Sequence, residues 1–149
     1  MIKRRTCVRR YRRSSHTRYD LKVHLIFSTK YRHNVMTKSI AHRIREIIRQ
    51  ICESNDIQII KGVIAKDHLH LYVSYPPKLS VSNMIQKLKG HVSRKIQQEF
   101  PQLGEFYWGK HFWSIGYGAF SSGHVTDEMV REYLDKHDKR DDNEFIIQE

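Results

Sequence analysis

Residues 57–75 read IQIIKGVIAKDHLHLYVSY, and this stretch decides the fold. Ile57 to Ala65 is rich in β-branched residues, so it predicts a strand. Lys66-Asp67 is too short for anything but a turn. His68 to Tyr75 alternates, with Leu69, Leu71 and Val73 on one side and His68, His70 and Tyr72 on the other. Two strands this close predict a hairpin. Pro76-Pro77, which cannot continue a central strand, closes the second one.

The flanks extend the pattern. Upstream, Leu21, Val23, Leu25 and Phe27 alternate with Lys22, His24 and Ser28, which predicts a first strand. Thr37 is placed to cap a helix to about Ser54, with Ile40, Ile44, Ile47, Ile48 and Ile51 on one stripe. Downstream, Ser80 or Ser82 can cap a second helix reaching Phe100, where Pro101 stops it. Its apolar stripe is Val81, Ile85, Leu88, Val92 and Ile96. A loop over 102–111 carries Phe106, Tyr107 and Trp108. Phe112 to Phe120 then predicts a fourth strand, bulged at Gly116 and Gly118. Thr126 caps a last helix to about His137, with Asp127 and Glu128 in its first turn. The order strand, helix, strand, strand, helix, strand is the split βαββαβ pattern. It places the chain in the α+β class, with an antiparallel sheet, helices on one face and a C-terminal helix. The polar face of the sheet is expected to be open.

At 149 residues the chain fits one domain. It divides into a basic arm over 1–18, a body over 19–137 and a polar, acidic tail over 138–149. No apolar run approaches a membrane span, and the basic N-terminus has no apolar stretch behind it, so neither a membrane partner nor a signal peptide is expected. Cys7 and Cys52 form no metal or disulfide pattern, and a reducing cytoplasm is the simplest setting. The net charge is +11. Residues 1–18 carry eight basic side chains and no acid, 19–126 carry fifteen against seven, and 127–149 carry four against nine. The body is therefore basic without its tail, which favours a polyanion, nucleic acid first. An ordinary surface with a basic arm is the plain alternative.

His68 and His70 are the candidate chemistry. At i and i+2 on a strand they face the same way, roughly 7 Å apart, within reach of one metal ion. A chance pair is the alternative in a chain with ten histidines. Tyr133 and His137 lie four apart on the last helix and so share a face. A tyrosine hydroxyl can attack phosphorus with help from a base or metal, and a third imidazole can complete a metal site. Against this, a helical tyrosine is often core, and His137 suits a helix C-terminus. His24, on the polar side of the first strand, can line the same site or serve as a cross-strand contact. On the second helix, Lys87, Lys89, His91 and Arg94 are candidate phosphate contacts or a solvated basic face. Trp108, Phe112 and Trp113 can stack on bases or pack in the core.

Lys66 to Leu71 matches the histidine–hydrophobe–histidine motif of HUH nucleases, and Val125 to His137 looks like their single-tyrosine helix. Ser28-Thr29-Lys30-Tyr31-Arg32 and Trp108 to Trp113 with Gly116-Tyr117 are also similar. Over roughly residues 16–140 the chain resembles the insertion-sequence 200/605 family of single-stranded-DNA transposases. The resemblance implies a ferredoxin-like fold and a homodimer with shared active sites, the histidine pair of one subunit meeting the tyrosine of the other. It also implies single-stranded DNA with hairpin ends as partner, Tyr133 as nucleophile, and His68 and His70 as ligands to Mg²⁺ or Mn²⁺. No small-molecule cofactor is expected. The family carries glutamine four residues after the tyrosine, where this chain has His137, and a nitrogen donor favours softer metals. A non-catalytic nucleic-acid-binding module, a related HUH nickase and a metal hydrolase using water are the competing readings.

Overall fold

The computed structural model describes residues 11–105 and 111–121. Two short strands, β1 (Arg12–Arg13) and β2 (Arg18–Tyr19), pair as an antiparallel ribbon. The main unit follows as β3 (Lys22–Ser28), α1 (Lys38–Ser54), β4 (Gln58–Ile64), β5 (His68–Ser74), α2 (Val81–Glu99) and β6 (Gly118–Phe120). Short 3₁₀ turns occupy Lys30–Arg32 and Pro101–Glu105. The sheet order is β4-β5-β3-β6, and every neighbouring pair is antiparallel. The α+β architecture with an antiparallel sheet therefore stands. The predicted helix from Thr126 lies outside the described residues.

Alternation sorts each strand between two faces. Val23, Leu25 and Phe27 lie opposite Val73, Leu71 and Leu69, and all six are buried in one cluster with both helices. Helix α1 contributes Ile40, Ile44, Ile47, Ile48 and Ile51, and α2 contributes Met84, Ile85, Leu88, Val92 and Ile96. A 3.6-residue stripe against a 2-residue alternation is what such a layer pairing needs. Ser80 caps α2, its hydroxyl accepting from the Asn83 amide at 3.1 Å. Thr37 occupies the corresponding position of α1, but its hydroxyl makes no capping bond. After α1 the chain reverses at Asp56, whose φ of 58° is one that Asp tolerates better than most residues.

Three expectations need correction. The fourth strand is shorter than Phe112–Phe120: only Gly118–Phe120 pairs in the sheet, and Trp113 makes an isolated bridge to Thr29. Gly116, at φ 89°, separates the two pieces, and Phe112 and Trp113 turn into the apolar core instead. The polar face is largely closed: His24, Ser28 and His68 are buried there and Ile26 fully so, while His70 and Tyr72 keep partial access. Part of the expected basic arm is folded, because β1 and β2 pair and Arg12 bonds to the body.

Candidate active site

The polar face gathers around the start of β5. His68 sits opposite Ser28, His70 opposite Ile26, and Tyr72 opposite His24. The pleat thus brings His68, His70 and His24 to one face, as their parity requires. Three segments close on this end. The Thr29 amide donates to the Asp67 carbonyl at 2.9 Å, and the Thr29 hydroxyl lies 3.1 Å from the same oxygen. The Lys30 amide donates to the Phe112 carbonyl, and the Ser114 amide to the Ser28 carbonyl, each at 2.9 Å. Tyr31 and Arg32, with φ of 60° and 51°, turn the chain tightly after β3. Such backbone conformations cost free energy in a non-glycine residue and tend to cluster at functional sites.

That turn delivers Arg32 to Asp67. The Arg32 guanidinium donates to Asp67 Oδ2 from Nε at 3.0 Å and approaches it again at 2.7 Å. The other carboxylate oxygen, Oδ1, accepts from His68 Nδ1 at 2.9 Å. All three side chains are buried, at 3%, 5% and 3% exposure respectively. Burial pushes the Asp67 pKa up, but the His68 hydrogen bond and the Arg32 charge outweigh it, and the carboxyl stays below its ordinary value. With Nδ1–H donated to a carboxylate, the His68 lone pair lies on Nε2, and the ring is held in one orientation. This carboxylate–imidazole pairing is the one that fixes metal-ligating histidines.

His24 Nδ1 lies 3.1 Å from His70 Nε2, and the His24 ring stacks on Tyr72 with centroids 3.9 Å apart. Burial, and secondarily the Lys61 charge, holds the His24 pKa below its usual value, favouring the neutral ring. Its Nε2 is buried with no hydrogen-bond partner among the described residues. The imidazole next to it is that of His70, and among the described residues no three His, Cys, Asp or Glu side chains converge as a metal-holding group. His24 thus shares the polar face with His70 and touches it across the strands, the cross-strand contact that one reading of the first strand allowed. Asp67 and Arg32 escaped sequence reasoning as functional groups, although both fall within stretches that carry the family resemblance. Tyr133 and His137 lie outside the described residues.

The candidate phosphate contacts divide. Lys87, His91 and Arg94 are exposed, and at i, i+4 and i+7 they share one stripe of α2. Lys87 bonds Asn55 at 2.7 Å, and His91 donates to the Lys87 carbonyl at 3.0 Å. Arg94 lines a groove of about 540 Å³ with Gly90, Ser93 and Gln97. Lys89 faces elsewhere. Its Nζ donates to the Ser114 and Gly116 carbonyls at 2.9 and 2.6 Å and lies 5.7 Å from the centre of the Phe27 ring. Burial lowers its pKa. It fastens the 114–116 segment to α2 and is not a free phosphate contact. Phe112 and Trp113 are likewise core residues, and Trp108 lies outside the described residues.

The model of IS200-like transposases matches residues 17–137. The chain belongs to the IS200-like transposase family. It is 32% identical over 122 residues to the ISDra2 transposase TnpA of Deinococcus radiodurans, covering 81% of this chain and 87% of that protein. It is 31% identical over 128 residues to the transposase of insertion sequence IS200 from Salmonella typhimurium, covering 86% and 83%. Among solved structures, a Deinococcus radiodurans R1 transposase superposes with a TM-score of 0.77 at 26% identity, over 84% of this chain and 96% of that one. A REP-associated tyrosine transposase bound to a REP hairpin shares the fold, with a TM-score of 0.55 at 15% identity over 83% and 69%. As an IS200-like transposase, the chain has its histidine pair and the Arg32–Asp67 support within the matched span.

Proposed function

We propose that this transposase cleaves and rejoins single-stranded DNA at insertion-element ends, with Tyr133 as nucleophile and His68, His70 and His137 as ligands to a divalent metal. The observation that carries the reading is the buried Arg32–Asp67–His68 chain. Without a ligand to orient for, its burial of one charge pair behind a histidine has little purpose, because buried pairs contribute weakly to stability. The strand order β4-β5-β3-β6 supports a ferredoxin-like fold beneath the site.

His68 and His70, with His137, would hold the cation, and nitrogen donors favour Mn²⁺ over Mg²⁺. When bound, such an ion supplies charge stabilisation at the scissile phosphate. The chain's own residues do the rest. The Tyr133 oxygen bonds to phosphorus and loses its proton, while the P–O3′ bond breaks and the 3′ oxygen gains one. The products are a 5′-phosphotyrosine and a free 3′-OH. Rejoining reverses the step, a 3′-OH attacking and tyrosine departing. A phenol with an ordinary pKa near 10 leaves more readily than an alcohol. The bond energy is kept in the phosphotyrosine link, so rejoining needs no nucleotide cofactor. Asp67 and Arg32 keep His68 in one tautomer throughout. A homodimer with shared sites, and hairpins as the DNA element bound, complete the proposal. The resemblance carries the first. The second is also what the REP-bound relative of the same fold holds.

The test mixes the protein with single strands from both flanks of its gene and either metal, then separates products under denaturing conditions. A protein–DNA band that needs metal and disappears in Tyr133→Phe is expected. Cleavage that persists in Tyr133→Phe would overturn the nucleophile.

A further inference from the structure

We propose that the β1–β2 hairpin is a separate docking point for polynucleotide phosphates, built on Arg13 and Arg18. This rests on the reading that the chain handles DNA, and it adds a site outside the catalytic face. The family match begins at residue 17, so β1 and the turn up to His16 lie beyond it.

The hairpin divides its arginines by face. Arg12 pairs across with Tyr19, and Arg13 with Arg18. Residues opposite each other in an antiparallel pair project to the same side. The first pair faces the body. Arg12 donates to the Ser74 carbonyl at 3.1 Å and the Asp56 carbonyl at 2.7 Å, forms an ion pair with Asp56 at 2.9 Å, and lies 5.2 Å from the Tyr19 ring centre. Tyr19 is buried. One arginine is thus fully used as an anchor.

The second pair faces solvent. Arg13 and Arg18 are both exposed, and among the described residues neither guanidinium has a hydrogen-bond or ion-pair partner. Directly opposed like charges destabilise a strand pair. Folding alone therefore gives no reason for this pair, and an anion bridging the two forks would relieve the repulsion. The ligand is a polyanion, because residues 1–18 hold eight basic side chains and no acid. Tyr11, two residues before Arg13 in the chain and 52% exposed, offers an aromatic ring on which a base can stack. Two opposed exposed cations with an exposed ring close by in sequence match a sugar–phosphate chain better than an acidic protein.

The test measures binding of the full chain to labelled oligothymidylate and to a mixed-sequence duplex across a salt series. Arg13→Gln/Arg18→Gln is expected to lower the single-strand salt slope by about 1.4, two contacts at about 0.7 each. That corresponds to roughly 25-fold weaker binding near 0.1 M salt, vanishing near 1 M. Arg13→Lys/Arg18→Lys should restore most of the slope. Lys38→Gln/Lys78→Gln, two exposed lysines elsewhere, should change it little. A loss on the duplex alone would keep the phosphate site and assign it to a hairpin stem. The melting temperature of the glutamine variant should not fall. An unchanged slope on both ligands, or a lower melting temperature that lysine rescues without restoring the slope, would overturn the proposal alone. A wild-type chain that binds neither ligand would overturn the proposal and the DNA-handling reading together.

Discussion

The two faces of β3 and β5 are made by the same strands and the same hydrogen bonds, yet they solve opposite problems. On one, Val23, Leu25, Phe27, Leu69, Leu71 and Val73 meet the helices in a core that any apolar partner of suitable size can help fill. On the other, His24, His68 and His70 are held by particular partners: His68 by Asp67, Asp67 by Arg32, and His70 by His24. The first face tolerates approximation. The second depends on single groups, because a buried charge left without its partner is far more costly than a lost methyl group. An apolar face states what stabilises the fold, and a polar face with dedicated supports states what the fold is for.

The largest effect should come from Asp67→Ala. It takes away the carboxylate that receives the buried Arg32 guanidinium and the His68 ring, and should cost about 3–5 kcal/mol in denaturant unfolding. Adding Arg32→Met should recover much of that loss, since the buried charge goes with it. If the double variant is no more stable than Asp67→Ala, the two residues do not form a dedicated pair. On the opposite face, Leu71→Ala should cost about 2–5 kcal/mol through the cavity it leaves. Metal affinity of its folded protein should not change, and a change there would mean the faces are not independent. A smaller contrast lies along α2. Lys89→Met should cost about 1–3 kcal/mol, by stripping the Ser114 and Gly116 carbonyls of their donor. Smallest in stability is Lys87→Ala/Arg94→Ala, which should leave the melting temperature unchanged and weaken single-strand binding with a lower salt slope. The reverse pattern would exchange the roles of the two sides of the helix.

The apolar face could be read from the chain alone because alternation and helical periodicity are local properties. The spans of β3, α1, β4, β5 and α2 follow from them within a residue or two. What periodicity missed depended on contacts distant in sequence. Arg32 and Asp67 stand 35 positions apart and meet only because Tyr31 and Arg32 turn the chain tightly. Lys89 read as one more exposed cation, since nothing along α2 announces that the 114–116 carbonyls come to rest on it. Phe112 to Phe120 alternates like a strand, but Gly116 takes a backbone conformation that breaks the ladder. Charge marks residues 1–18 as a basic arm, and nothing along it announces that Asp56 neutralises Arg12 and two main-chain carbonyls receive it. The histidine pair was legible as a motif, and the residue that orients it was not.

The most direct measurement is calorimetric titration of the full chain with Mn²⁺, comparing wild type, His68→Ala and Asp67→Asn. One site per chain is predicted in the wild type, absent in His68→Ala and weakened about 10–100-fold in Asp67→Asn. Equal binding by wild type and His68→Ala would contradict the assignment of this face as a metal site.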